Sequence, residues 1–180
     1  MKDISDKELR KIAKNIKCLI LDVDGVLTDG SIILDNEGNE FKSFHVRDGH
    51  GIKMLIRAGF KVAMITGRHS RVVERRAHEL GITEVFQKCY DKRVAYRQLA
   101  RKYLLSDSEI AYIGDDIVDI PLLQRSGFSI AVADADKEVK AIAMMTTKKG
   151  GGRGAVREVC DFLLKAKGLW KDIIDEYSKI

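Results

Sequence analysis

Strand-like and helix-like segments alternate along most of this 180-residue chain. Short apolar runs of strand length are separated by helix-like segments of about a dozen residues or fewer. The predicted strands are residues 18–23, 62–66, 84–87, 110–113 and 128–132. Such alternation favours a parallel sheet with right-handed crossovers and helices on both faces. The pattern predicts an α/β fold, a Rossmann-like three-layer sandwich, formed as a single domain by residues 1–180.

The predicted helices have recognisable ends. They span residues 51–58, 71–80, 92–103, 120–125 and 155–166, with a charged segment of helical pattern before them in residues 1–17 and a short amphipathic helix after them in residues 170–180. Ser5 and Glu8 have the spacing of a capping box. Ser70 is placed to cap the helix that Gly81 ends, and Pro121 fits the first turn of its helix.

Composition excludes some classes of protein. The chain is 45% hydrophobic and 33% charged, with no apolar run near the roughly 20 residues of a membrane span, so no membrane association is expected. Its net charge is +5, but the basic residues are interspersed with apolar ones, so we expect no nucleic-acid partner. Three scattered cysteines do not form a disulfide framework, which favours the reducing cytoplasm.

A β-hairpin interrupts the alternation. Residues 31–34 and 40–46 are extended in pattern, and the turn-forming residues 35–39 join them. This flap, about residues 30–47, follows the first strand and should project over that strand's carboxyl end. A two-stranded ribbon is marginal in water, so its apolar Ile32, Phe41 and Phe44 suggest packing against another subunit.

Two carboxylates, Asp22 and Asp24, end the first strand, and Gly25 follows them. Ligands of open α/β sheets bind at the carboxyl ends of the strands. Two acids there indicate either a hard cation such as Mg²⁺ or a nucleophile with an acid/base partner. The alternative, a pair that caps the next turn, fits one aspartate better than two.

Other polar residues end the neighbouring strands. Thr66 and Arg68 follow the second strand, Asp115 and Asp116 follow the fourth, and Lys92 opens the helix after the third. In a parallel sheet all of these residues lie at one edge. Gathering so many charged and polar groups there costs free energy unless a cation and an anion bind. Phosphoryl transfer uses this set, because Mg²⁺ bridges carboxylate and phosphate oxygens while threonine and lysine hold the remaining oxygens.

These residues resemble the four motifs of the haloacid dehalogenase superfamily, roughly over residues 17–146. The motifs are Asp22-x-Asp24-Gly-x-x-Thr28, Ile65-Thr66-Gly67-Arg68, Lys92 and Gly114-Asp115-Asp116-x-x-Asp119. The paired acids of the first motif favour the phosphatase branch. By resemblance, Asp116 and Asp119 support the site without contacting the substrate: one positions a metal-bound water or Lys92, and the other caps its helix.

The resemblance implies a role for each remaining motif residue. Asp22 is the nucleophile and a metal ligand. Asp24 is the general acid to the leaving alcohol and then the base for water, and its backbone carbonyl binds the metal. Asp115 is the acidic metal ligand of the fourth motif, while Thr66 and Lys92 bind the transferring phosphoryl group. The implied cofactor is Mg²⁺.

Large members of the superfamily carry a cap domain after the first or the second motif. Here only the hairpin follows the first motif, and only one helix and one strand lie between Arg68 and Lys92, so the chain resembles the capless subclass. Residues 44–53, Phe-His-Val-Arg-Asp-Gly-x-Gly-Ile-Lys, and residues 151–158, Gly-Gly-Arg-Gly-Ala-x-Arg-Glu, resemble the 3-deoxy-D-manno-octulosonate 8-phosphate phosphatases. That family makes a lipopolysaccharide precursor. It forms homotetramers in which four hairpins assemble and a neighbour's C-terminal tail, here about residues 148–180, covers the site.

This family also implies the residues that bind the sugar-acid phosphate. They are Asp24, His45, Val46, Arg47, Asp48, Gly49, Lys53, Arg68, Arg76 and Lys92. Arginine suits the substrate's carboxylate because it binds such groups bidentately. Alternatively, His45 is a satisfied hairpin residue, and Lys53 and Arg76 are surface charges.

Some alternatives stay open. The glycines of residues 148–154 either approach an anionic ligand closely or form a flexible linker. A phosphatase for a nine-carbon ulosonate phosphate, a non-catalytic sugar-phosphate binding subunit and a phosphomutase are the competing functions.

Overall fold

The computed structural model describes residues 4–179. Its strands are β1 (Cys18–Leu21), β2 (Ile33–Leu34), β3 (Glu40–Phe41), β4 (Lys61–Ile65), β5 (Glu84–Phe86), β6 (Ile110–Gly114), β7 (Phe128–Ala131) and β8 (Met145–Thr146). Its α-helices are α1 (Asp6–Ala13), α2 (Val46–Arg57), α3 (Arg71–Leu80), α4 (Lys92–Lys102), α5 (Ile120–Arg125), α6 (Lys137–Ile142), α7 (Ala155–Ala166) and α8 (Trp170–Tyr177).

A parallel sheet forms the centre, in the strand order β5-β4-β1-β6-β7-β8. Every residue of β1 is buried, as expected of a parallel strand covered on both faces. On one face α2 packs against α7 and α7 against α1, while α4 packs against α5 and α5 against α6. The predicted α/β sandwich with a parallel sheet is therefore confirmed.

The register of the sheet determines where the polar residues emerge. Leu21 of β1 pairs with Met64 on one side and with Ile113 on the other. The chain leaves β1 towards β4, whereas β6 lies on the opposite side, so the strand order reverses beside β1. Such a reversal opens a crevice at the carboxyl ends of the strands.

Several predicted elements are confirmed at their predicted bounds, namely α3, α5 and α7. The capping box of Ser5 and Glu8 is also present. The sequence did not indicate β8, because two residues are too few to show a periodic pattern. It did not indicate α6 either, because this helix has no proline in its first turn of the kind that marked the equally short α5.

The prediction of extended chain up to Val46, followed by a helix from Gly51, is wrong. The hairpin strand β3 ends at Phe41, and α2 begins at Val46, so the segment from Val46 to Gly49 is helical. Gly49 and Gly51 have low intrinsic helix propensity. Both glycines instead permit close packing: a Cβ at Gly49 would lie 2.3 Å from Nη2 of Arg76, and one at Gly51 would lie 3.1 Å from Cβ of Cys160.

The flexible-linker interpretation of the glycine-rich segment is also wrong. Gly152 donates its N–H to the carbonyl of Val26 at 2.9 Å, and Gly151 donates to Asp134 Oδ1 at 2.9 Å. A Cβ at Gly151 would lie 1.7 Å from the carbonyl oxygen of Gly25. The segment therefore packs directly against the turn that follows β1. Across residues 4–179, no helix is both long enough and apolar enough to span a membrane.

Candidate active site

A cavity of about 360 Å³ lies at the carboxyl edge of the sheet, beside β1. It is lined by Asp22, Asp24, Thr66, Gly67, Arg68, Cys89, Tyr90, Lys92, Asp115, Asp116 and Val118. A larger hollow of about 980 Å³ lies between α1 and the end of α7, but lysines and arginines dominate its lining, with Glu8 as the one carboxylate there among the described residues. The smaller cavity is therefore the better candidate for chemistry.

Asp22 is the first residue beyond β1, and the sheet holds it in place. Its backbone N–H donates to the carbonyl of Ile113 at 3.1 Å, and its Oδ1 lies 2.8 Å from Nζ of Lys92. The carboxylate is buried. Burial, together with the charge of Asp119, raises the pKa of Asp22 to about 7 although Lys92 opposes the shift.

Lys92, the first residue of α4, is buried between two carboxylates. Its Nζ lies 2.8 Å from Asp22 and 2.7 Å from Asp119. Burial lowers the pKa of Lys92, but the two carboxylates more than offset this effect, so that the pKa lies above its ordinary value. The lysine therefore remains an ammonium group, suited to holding a phosphoryl oxygen.

Asp119 positions Lys92 and has no spare oxygen for other ligands. Oδ1 accepts from Lys92 and from the hydroxyl of Tyr112 at 2.5 Å, and Oδ2 accepts from the backbone N–H groups of Asp115 and Asp116 at 3.0 and 3.3 Å. Asp116 caps the following 3₁₀ turn by accepting from the N–H of Ile117. Asp119 therefore contacts Lys92 and Asp116 caps a turn, while a role for either residue in holding a metal-bound water stays a prediction.

Asp115 has the features of a metal ligand. Its buried Oδ1 has no hydrogen-bond partner among residues 4–179. Burial, with the charges of Asp22 and Asp119, raises the pKa of Asp115 to about 8. Carboxylate oxygens of these three aspartates lie within 4.8 Å of one another, and because Asp119 is already saturated, Asp22 and Asp115 are free for a cation. Hard oxygen donors of this kind fit Mg²⁺.

Gly25 permits this arrangement. Its φ of 88° is left-handed, and a Cβ there would lie 2.0 Å from Oδ2 of Asp115. A side chain at position 25 would therefore displace the carboxylate that the cation needs.

Thr66 and Arg68 approach the cavity from the end of β4. The Thr66 hydroxyl oxygen is buried and accepts the backbone N–H of Arg68 at 3.4 Å, which leaves its own proton to donate. Arg68 is half-exposed, with Nε 3.7 Å from Asp24 Oδ2 and Nη2 3.1 Å from Glu40 Oε1. Thr66 and Arg68 therefore lie together with Asp22 and Asp24, as the strand order predicts.

Lys42, Glu40 and Tyr112 also contact the site residues, and none of them was predicted to do so from the sequence. The ammonium group of Lys42 forms an ion pair with Asp24, and Tyr112 donates to Asp119 from within β6. Tyr112 is hidden in an apolar strand run. The only sequence signal for the other two is the alternation of polar and apolar residues at positions 40–42, which places Glu40 and Lys42 on one face.

Another group of predicted residues does not line this cavity, namely His45, Val46, Arg47, Asp48, Gly49, Lys53 and Arg76. Asp48 is buried and accepts backbone N–H groups of Gly154 and Arg157 at 3.2 and 2.6 Å, so it anchors the start of α7. Lys53 is exposed on α2, and Arg76 lies over the ring of Phe44. Their role in substrate binding stays a prediction.

Known proteins resemble this chain over most of its length. Residues 79–158 match the haloacid dehalogenase-like hydrolase family. The 3-deoxy-D-manno-octulosonate 8-phosphate phosphatase KdsC of Escherichia coli K12 is 48% identical over 156 residues, which cover 87% of this chain and 83% of that protein.

Two solved structures give the same result. The phosphatase of this name from Moraxella catarrhalis, in complex with magnesium, phosphate and KDO, superposes with a TM-score of 0.94 at 42% identity, covering 96% of this chain and 99% of that one. The Yersinia pestis phosphatase superposes with a TM-score of 0.90 at 47% identity, covering 91% and 88%. The chain therefore belongs to the 3-deoxy-D-manno-octulosonate 8-phosphate phosphatase family of haloacid dehalogenase-like hydrolases.

Proposed function

We propose that this protein is a Mg²⁺-dependent phosphatase that hydrolyses 3-deoxy-D-manno-octulosonate 8-phosphate to KDO and inorganic phosphate. One observation carries the proposal: a single cavity joins two carboxylates free for a cation, Asp22 and Asp115, to a hydroxyl and an ammonium group, Thr66 and Lys92. The relatives support it, since one of them binds magnesium, phosphate and KDO together. In the family, KDO is a precursor of lipopolysaccharide.

In the first step Asp22 acts as the nucleophile. Its carboxylate attacks phosphorus, the bond from phosphorus to the sugar oxygen breaks, and Asp24 donates its proton to that oxygen. Lys92 and the Thr66 hydroxyl hold the phosphoryl oxygens while charge spreads over them. KDO leaves, and the phosphoryl group stays on Asp22.

In the second step Asp24 accepts a proton from water. The water oxygen attacks phosphorus, the bond from phosphorus to Asp22 breaks, and inorganic phosphate is released. Asp119 does not touch the reacting atoms but keeps Lys92 in place through their 2.7 Å contact. Asp22 returns to its free carboxylate, ready for the next substrate.

The carboxylates of Asp22 and Asp115, with the backbone carbonyl of Asp24, would hold the Mg²⁺ ion. When bound, the ion neutralises charge on the phosphoryl oxygens and on these carboxylates. The raised pKa values of Asp22 and Asp115 agree with this assignment, because they reflect burial together with negative charge that Lys92 alone does not balance.

We further propose a homotetramer in which hairpins from neighbouring subunits contact one another. Four apolar side chains of the hairpin are at least half exposed, namely Ile32, Ile33, Leu34 and Phe41. An apolar strip of this kind marks a contact surface. A neighbour's tail over the site is part of the same proposal. Seven residues of α7 are buried within their own chain, whereas α8 buries none of its residues completely and contacts α2 through Tyr177.

The residues outside the cavity have a place in this proposal. His45, Val46, Arg47, Gly49, Lys53 and Arg76 would bind the substrate's sugar and carboxylate where a neighbouring subunit brings them to the site. The side chain of Asp48 would support them from within, because both of its oxygens already accept backbone N–H groups. We place the reaction in the cytoplasm, where the free thiols of Cys18, Cys89 and Cys160 would stay reduced.

Phosphate release tests the proposed function. The purified protein is assayed with 3-deoxy-D-manno-octulosonate 8-phosphate and with a nine-carbon ulosonate 9-phosphate, each in Mg²⁺ and in chelator. We expect Mg²⁺-dependent release that is faster from the octulosonate. Equal rates would contradict the narrow substrate assignment, and release from neither substrate would support a binding subunit instead.

A further inference from the structure

Lys42 is a second buried lysine at the site, and the two-step mechanism gives it no role. Its side chain is only 1% exposed and forms an ion pair with Asp24. Glu40 Oε1 lies 3.4 Å from the same ammonium group. A buried ammonium group is costly without anionic partners, and these two carboxylates supply them. Because Lys42 is enclosed, it is poorly placed to bind substrate itself.

The hairpin delivers Lys42 to the site through the alternation of side chains along an extended strand. Phe41 of β3 pairs with Ile33 of β2, and its side chain is 54% exposed. Successive residues of a strand point to opposite faces, so Glu40 and Lys42 face inward. Charged contacts therefore connect the hairpin to the site, while the apolar residues of its two strands remain outside.

The two aspartates that follow β1 have separate cationic partners. Asp22 contacts Lys92 at 2.8 Å, whereas Asp24 contacts Lys42 through Oδ1 and lies 3.7 Å from Arg68 through Oδ2. The Arg68 side chain is 45% exposed and also pairs with Glu40 Oε1 at 3.1 Å, so its contact with Asp24 is the longer and more exposed of the two. Lys42 is enclosed, so it is the fixed contact that determines where the Asp24 carboxylate points.

We infer that Lys42 is a positioning residue for Asp24, an inference that rests on the proposed phosphatase function. Lys42 holds the Asp24 carboxylate in the orientation that proton transfer requires, first to the leaving oxygen and then from water. Glu40 keeps the ammonium group partnered when Asp24 carries the proton. The hairpin thus completes the catalytic apparatus of its own chain in addition to offering an outer apolar surface.

Lys42→Met tests the inference with two substrates that differ in leaving group. The octulosonate phosphate needs a proton on its leaving oxygen, whereas p-nitrophenolate leaves without one. We expect kcat on the octulosonate phosphate to fall about 10- to 100-fold with no rise in KM, because proton transfer loses its geometry. On p-nitrophenyl phosphate we expect a fast burst of one equivalent of nitrophenolate and then a slow steady state, because water attack still needs Asp24.

Two further variants complete the test. Lys102→Met is the matched control, because Lys102 also pairs with a carboxylate, that of Glu84 at 2.6 Å, and neither residue lines the cavity. The Lys102 side chain is far more exposed than that of Lys42. Lys102→Met should leave both substrates unaffected. Lys42→Arg keeps the cation and should give a kcat between those of wild type and Lys42→Met. The arginine variant carries the test if the methionine variant does not fold.

Three outcomes would overturn the inference: a raised KM with unchanged kcat, equal slowing of the burst and the steady state, or no change in either phase. Wild type is measured in the same assay. Failure of wild type to release phosphate from the octulosonate phosphate would instead contradict the proposed function.

Discussion

Replacing Asp115 with asparagine should stabilise the metal-free protein and remove its response to Mg²⁺. Asparagine has the same shape but carries no charge. The pKa of Asp115 is raised to about 8 by burial and by the charges of Asp22 and Asp119. A carboxyl group whose pKa is higher in the folded state stabilises the fold at low pH and loses that contribution as pH rises towards the folded pKa.

The pH window and the magnitude follow from this shift. An unfolded aspartate titrates near 3.9, so wild type loses up to about 1.4 kcal/mol for each pH unit between about 4 and 8. Between pH 5.5 and 7.5 the advantage of Asp115→Asn in metal-free buffer should therefore grow by about 2–3 kcal/mol. Mg²⁺ should reverse the order, since it stabilises only a protein that binds it.

Urea denaturation at both pH values, with chelator and with Mg²⁺, measures these differences. Asp116→Asn is the matched control, because Asp116 is an exposed N-cap and asparagine caps equally well. An Asp115→Asn effect that is the same at both pH values, or an undiminished response of this variant to Mg²⁺, would refute the reasoning.

Other perturbations test separate parts of the structure. Tyr112→Phe removes a hydroxyl that holds Asp119 and should lower kcat/KM about tenfold, or about 1.4 kcal/mol. Tyr96→Phe is the control, because Tyr96 is another buried tyrosine bonded to a carboxylate, and it should leave kcat/KM unchanged. Equal effects of the two variants would contradict a positioning role for Tyr112. Gly25→Ala should weaken Mg²⁺ binding in calorimetry, because the new Cβ meets Asp115; unchanged affinity would contradict the assigned ligand. Truncation after residue 147 should prevent folding, measured by circular dichroism, because it removes α7. That helix buries several large apolar side chains, each of which stabilises the fold by about 1.5–3 kcal/mol. Truncation after Gly168 keeps α7 and should leave the sheet intact.

The core of the site is predictable because its residues occupy the ends of recognisable elements. Asp22, Thr66 and Asp115 each follow an apolar run, and Lys92 begins a helix. Parallel strands bring such ends to one edge. The local sequence around each of these residues is therefore sufficient to predict that they lie together at one edge of the sheet.

The rest depends on contacts between segments distant in sequence. Lys42 is 18 residues from Asp24, and neither residue's neighbours indicate the pairing. Asp48 resembles a ligand residue in a loop, yet its oxygens bind backbone groups more than 100 residues away. The helical conformation of Gly49 was not predicted, because its close packing against Arg76 is visible only in three dimensions.

The most direct test of the mechanism is to identify the residue that carries phosphorus. In Asp24→Asn with labelled p-nitrophenyl phosphate and Mg²⁺, the first step needs no proton while the second lacks its base, so the phosphorylated protein should accumulate. Acid quenching, borohydride reduction and peptide mass spectrometry should then place homoserine at position 22. A label on any other residue, or rapid turnover with no covalent label, would contradict Asp22 as the nucleophile.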